Sequence, residues 1–110
     1  MLELVDQFGW HKLSADEAPT IKERLKGFES MTWNQILVDA NKHNHYVERK
    51  KLCKDAQARL KFLKLDDVEE FVSLKVDSLG RIWGIRENAV MLLLWWDPKH
   101  RICPSHKKHT

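Results

Sequence analysis

Eight consecutive apolar residues, Ala89 to Trp96, stand between Glu87-Asn88 and Asp97-Pro98. A membrane-crossing helix needs roughly 20 apolar residues, so this run is far too short to be one. It also offers no polar face to water, which predicts a strand covered on both sides, in the interior of a sheet. Asp97-Pro98 ends it, because proline has no N–H to give to a ladder. Asn88 tolerates the positive φ of a tight hairpin, so Glu87-Asn88 reads as a two-residue connection into the run. Trp95 and Trp96, being adjacent, should point to opposite faces of the sheet.

The flanking pattern supplies the rest of that sheet. Val72, Leu74 and Val76 alternate with Ser73, Lys75 and Asp77, as in a half-buried strand. Asp77-Ser78-Leu79-Gly80 reads as a turn with glycine in last place. Arg81 to Arg86 forms the next strand, and a short fourth is expected near Arg101 to Cys103, ending at Pro104. The first half has helical spacing instead. Pro19 fits a first helical turn, and Ile21, Leu25 and Phe28 follow on one face of a helix over about 17–29. Thr32 with Gln35 forms a capping box at the start of a second helix, in which Trp33, Ile36, Leu37 and Ala40 share a face up to about His43, with Asn44 as its stop. Leu52, Ala56, Leu60 and Leu63 share one face of a third helix over about 48–64. The expected fold is α+β, with N-terminal helices packed on one face of a C-terminal antiparallel sheet of three to four strands.

A chain of 110 residues, 43% hydrophobic and 32% charged, can build one modest core and no second. A single domain over 1–110 is expected, with 1–27 peripheral and 105–110 a basic tail. Glu3 and Asp6 leave no apolar leader at the N-terminus. Cys53 and Cys103 are too few for a disulfide scaffold and read as free thiols in a reducing compartment, which points to the cytoplasm and to no membrane.

The net charge of +3 conceals an uneven distribution. Residues 48–64 carry a net +5, residues 65–77 a net −4, and the last fourteen a net +3 with His100, His106 and His109 besides. Lys50, Lys54 and Lys61 fall on the face of the third helix opposite its apolar one, and Lys99, Lys107 and Lys108 extend the positive charge into the tail. Such a stripe suits a phosphate backbone, and a solvated helix face accounts for it equally well.

Catalytic signatures are absent: there is no glycine-rich phosphate loop, no HExxH and no Cys-x-x-Cys. His100, Cys103, His106 and His109 recur at every third residue and all can bind zinc. Pro104 interrupts any helix that would align them, and a second separated ligand pair is missing, so no metal and no cofactor are implied. Metal-free RNA cleavage by the 2′-OH asks for a base, a cation on the phosphate oxygens and an acid at the leaving oxygen. Histidine titrates near neutrality and arginine grips phosphate as a planar fork. An antiparallel meander brings the end of the apolar strand beside the start of its neighbour. His100 and Arg101 are thereby placed near Arg81, and these three are the candidate catalytic residues. The plainer readings are a strand-end charge for Arg81 and a turn residue for His100. Trp83, Trp95 and Trp96 read as packing residues more readily than as base-stacking platforms.

Ser73-Leu74-Lys75-Val76, Gly80-Arg81-Ile82-Trp83-Gly84 and Leu94-Trp95-Trp96-Asp97-Pro98-Lys99-His100 together resemble the ParE-like toxins of the RelE/ParE group of type II toxin–antitoxin systems. Met31-Thr32-Trp33 and the helix with Ala56, Arg59 and Leu60 fit as well, so the resemblance spans roughly 28–104. It implies a small toxin of helices and antiparallel sheet, neutralised by a cognate antitoxin protein. Members of the group are either ribosome-dependent mRNA endonucleases or poisons of DNA gyrase. In the endonucleases an arginine on a central strand and basic, histidine or tyrosine residues at the end of a later strand surround the scissile phosphate. Arg81 matches the first kind of position, and His100 and Arg101 the second. The sequence departs from that pattern in its one tyrosine, Tyr46, which is expected outside the C-terminal sheet.

Overall fold

The computed structural model describes residues 2–4, 15–39 and 44–103. Their elements in chain order are β1 (Leu2–Leu4), α1 (Glu17–Glu29), a π turn (Gln35–Asp39), β2 (His45–Glu48), a 3-10 turn (Arg49–Lys51), α2 (Lys54–Phe62), β3 (Glu70–Lys75), β4 (Arg81–Glu87) and β5 (Val90–Asp97). The arrangement is α+β: the strands β2 to β5 form an antiparallel meander, and β1 adds a parallel edge strand on β5 in the order β1-β5-β4-β3-β2. The apolar run is interior, between β1 and β4, as its two-sided hydrophobicity requires.

The β4–β5 ladder explains how so apolar a strand serves two cores. Trp83 pairs with Trp95 and Gly84 with Leu93, so Leu94 is an extra residue, a β-bulge. Leu94 and Trp95 consequently both face α2, and Leu93 and Trp96 both face α1. On the α1 side Ile21, Phe28 and Ile36 pack on Val72, Leu74, Ile82, Met91 and Trp96. On the α2 side Leu52, Ala56 and Leu60 pack on Phe71, Trp83, Leu94 and Trp95. The helices are therefore divided between the two faces rather than stacked on one. With Trp83, Trp95 and Trp96 each at most 2% exposed, none is a stacking surface for a base.

The helix expected over 48–64 is corrected. Its first residues belong to β2 and the 3-10 turn, because Glu48 pairs with Glu70 and the Arg49 N–H donates to Glu69 O at 2.8 Å. Leu52 turns inward at 4% exposure, and Cys53 is the extended N-cap of α2. At the other end Lys64 takes a positive φ of 62° and the Leu65 N–H reaches back to Leu60 O at 2.8 Å, a Schellman closure with lysine where glycine is usual. Residues 101–103 form no fourth meander strand, for a reason given below. The β4–β5 turn is Asn88-Ala89, one residue later than expected, with φ 58° at Asn88 and Glu87 paired with Val90. Ala40 and His43, the expected end of the second helix, lie outside the described residues. Asn44 is not at positive φ and instead ties that segment to β3, its amide donating to Ile36 O at 3.2 Å and its carbonyl accepting the Lys75 N–H at 2.8 Å.

The capping box is present in both directions. The Thr32 N–H donates to Gln35 Oε1 at 2.9 Å and the Gln35 N–H to Thr32 Oγ1 at 3.1 Å. Thr32 is exposed, so Thr32→Ala removes the cap and little else. The expected cost is about 1 kcal/mol, read as a fall in Tm of roughly 4–8 °C.

Candidate functional site

Asp97 organises the end of β5. It is 4% exposed, and its carboxylate accepts three hydrogen bonds. The Arg101 N–H reaches Oδ1 at 2.9 Å, while the Ile102 N–H at 2.9 Å and the Trp83 indole N–H at 3.3 Å reach Oδ2. These bonds use the N–H groups that a fourth strand would have spent on a ladder, which is why 101–103 form a loop. The chain reverses through Asp97-Pro98-Lys99-His100, where the His100 N–H lies 3.5 Å from Asp97 O and His100 has φ 56°.

The loop is then tied to α2. The Cys53 N–H donates to Ile102 O at 2.7 Å, which sets the N-terminus of α2, and so Lys54, beside the segment carrying His100 and Arg101. From the other side, Arg81 is the cross-strand partner of Asp97. Its Nη1 donates to Asp77 O at 3.1 Å and Gly80 O at 3.0 Å. Burial pushes the Arg81 guanidinium below its ordinary pKa, and the charges of Asp77 and Asp97 pull it back up. An arginine remains charged at neutral pH through such a shift. The hairpin beneath it closes as the sequence suggests, with Asp77 Oδ1 accepting the Gly80 N–H at 2.6 Å and the Leu79 N–H at 3.2 Å.

Arg81, His100, Arg101 and Lys54 thus share one end of the sheet. His100 is half-buried, while Lys99 and Arg101 are exposed on the loop. Lys50 and Lys61 are exposed too, but Lys50 belongs to the 3-10 turn, so the stripe on α2 itself is Lys54 and Lys61, two helical turns apart. Lys107, Lys108, His106 and His109 lie outside the described residues. Among the described residues no three of His, Cys, Asp and Glu are placed to hold a metal ion.

No family model, no curated protein and no solved structure matches the chain.

Asp97 has a role its sequence context does not announce, and Tyr46, expected outside the C-terminal sheet, is corrected to a place within it. Asp97 was visible only as half of a strand-breaking Asp-Pro, yet an acidic residue directly after a buried run is the natural acceptor for the next backbone N–H groups. Tyr46 lies within the sheet, on β2, and its hydroxyl accepts from Arg86 Nη1 at 2.8 Å. No helix among the described residues is long and apolar enough to cross a membrane.

Proposed function

We propose that this chain is the toxin of a type II toxin–antitoxin system, acting in the cytoplasm as a metal-independent, ribosome-associated mRNA endonuclease. The observation that supports it is the convergence on the Asp97-anchored loop. His100 and Arg101 lie on that loop, Arg81 is the ladder partner of Asp97, and Lys54 follows Cys53, whose N–H is bonded to Ile102 O. His100 handles a proton of the 2′-OH or the leaving 5′-oxygen. Arg81 and Arg101 hold the phosphate and stabilise the charge that grows on it. Lys50, Lys54, Lys61, Lys99 and, beyond the described residues, Lys107 and Lys108 provide long-range attraction to RNA. A cognate antitoxin is the expected protein partner.

A second reading has its own support. Phe62 is 73% exposed at the end of α2, with the Arg59 guanidinium 5.0 Å from its ring centroid, and Leu79 is 54% exposed. In this reading they contact a protein target such as DNA gyrase, poisoned by binding alone.

The deciding experiment is mRNA cleavage in a translating extract. His100→Asn keeps a residue that accepts a positive φ while removing the imidazole. It is expected to lower cleavage about 10²-fold, measured on protein shown to be folded by its circular dichroism. Arg101→Lys is expected to fall as well, since lysine keeps charge and loses the fork. Equal cleavage by wild type and His100→Asn removes His100 from the reaction. No cleavage by wild type, with DNA damage in expressing cells, replaces the endonuclease reading by the gyrase one.

A further inference from the structure

Arg86 is an exposed arginine held from three sides. Its guanidinium lies 4.9 Å from the Trp33 ring centroid, its Nε donates to Asn88 O at 3.2 Å, and its Nη1 donates to the Tyr46 hydroxyl at 2.8 Å. Exposed arginines are ordinarily free to sample many rotamers, and the entropy of fixing them weakens any ligand they bind. Here that cost is already met within the fold. No carboxylate among the described residues forms an ion pair with Arg86, so its charge is oriented without a direct counter-ion, with Glu70 on the same cleft wall.

The surroundings say what such a charge would hold. Tyr46, Glu70, Arg86 and Asn88 line a polar cleft of about 380 Å³. Beside it is an apolar cavity of about 290 Å³, lined among others by Met31, Trp33, Ile36 and Met91. Trp33 joins the two, since it lines the cavity and stacks on the arginine of the cleft. Asn88 and Ala89, successive residues of the β4–β5 turn, line one each. A ligand that fills both has an apolar part and a singly charged anionic part next to it. Glu70 on the cleft wall repels groups of higher charge and can accept an N–H or O–H.

We propose that Trp33, Tyr46 and Arg86 form a binding subsite for single-stranded nucleic acid, with a backbone phosphodiester on Arg86 and an unstacked base in the neighbouring apolar cavity that Trp33 lines. Aromatic rings flanking a fixed guanidinium are how strands are held without base pairing. The subsite is separate from the Asp97-anchored loop. Arg86 lies five residues along β4 from Arg81, roughly 17 Å at 3.4 Å per residue. It packs on Trp33 of the α1 side, whereas Arg81 is the partner of Asp97, which binds Trp83 of the α2 side.

The test is fluorescence anisotropy with the full chain and two labelled decamers, dT10 and 2′-O-methyl U10, neither of which has a 2′-OH to be cleaved. Tripolyphosphate and a glutamate-rich peptide serve as competitors. Wild type is expected to bind the decamers and to resist both competitors. Arg86→Gln is expected to weaken binding at least tenfold and Tyr46→Phe several-fold, while Glu70→Gln tightens it, each with the melting curve of wild type. Trp33→Phe keeps a ring and a folded core and should bind more weakly than wild type. The subsite is overturned if wild type binds neither decamer. It is likewise overturned if folded Arg86→Gln binds both as tightly as wild type, or if the peptide or tripolyphosphate displaces them at equal charge. Because no bond is cut in this assay, such a failure leaves the His100→Asn comparison standing, and the reverse also holds.

Discussion

Asp97→Ala is expected to cost on the order of 5 kcal/mol of stability, most of what a small domain possesses. Three donors now end on one buried carboxylate: the Arg101 and Ile102 backbone N–H groups and the Trp83 indole. Each loses its acceptor, and a buried donor without a partner costs about 1–3 kcal/mol. The loop can swing toward water to recover two of them, but the Trp83 indole is 1% exposed and cannot follow. Asp97→Asn tests the same point more finely. One amide oxygen still accepts, while the NH2 must face a donor at the other position, so about 2–4 kcal/mol is expected. Urea unfolding of the three proteins measures both numbers. A loss below about 1 kcal/mol for alanine would show that the loop is not held by this carboxylate. Because His100 and Arg101 sit on that loop, cleavage or target poisoning should fall with stability in both variants. That coupling makes Asp97 unsuitable as a probe of catalysis and well suited as a probe of how the site is held.

The sheet was legible because strand-like runs and turn chemistry agree along residues 71–97, although β3 is covered on both faces, Ser73 included, where its alternation suggests a half-buried strand. The run ending in Trp95-Trp96 admits few other structures, and the Asp77 turn and the capping box at Thr32 are encoded by local side-chain geometry. What was hidden depends on partners distant in sequence. The first residues of the expected third helix have helical spacing, but β3 offers β2 a ladder, and Glu48 pairs with Glu70 across 22 positions. The three residues of β1 pair with Leu92 and its neighbours at the other end of the chain, and three residues carry no readable period. The division of the helices between two faces uses the alternation of β5, Trp95 facing α2 and Trp96 facing α1, and the bulge adds Leu94 to the side of Trp95. At the candidate site, Arg81, His100 and Arg101 were found by residue type and the expected meander. Asp97 and the Cys53–Ile102 bond, which hold that site, needed the fold. Arg86 was unremarkable as a strand residue until Trp33 and Tyr46, 53 and 40 positions away, closed around it.

Gly84→Ala is expected to be nearly as damaging as Asp97→Ala, at about 3 kcal/mol or more. The glycine is not required by its backbone angles, since it is not at positive φ. It is required by proximity. A Cβ at residue 84 would lie 2.4 Å from Leu92 O and 2.6 Å from Met91 Cε. The methionine end can move aside, but Leu92 O belongs to the backbone immediately before the bulge and cannot shift without disturbing the ladder. Gly84 pairs with Leu93 on one side and with Val72 on the other, so displacing it strains both the β4–β5 and β3–β4 ladders. If the register slipped to relieve the contact, Leu94 and Trp95 would lose their shared face and the α2 core would lose its centre. The variant is therefore expected to unfold at lower urea, and any folded fraction should show altered fluorescence from Trp83, Trp95 and Trp96. Gly27→Ala is the control, because a Cβ there meets nothing within 4 Å and alanine favours the helix. It should raise stability by about 0.4–1 kcal/mol. If Gly84→Ala is tolerated as well as Gly27→Ala, the close approach of β4 to the bulge is not what fixes the register of the sheet.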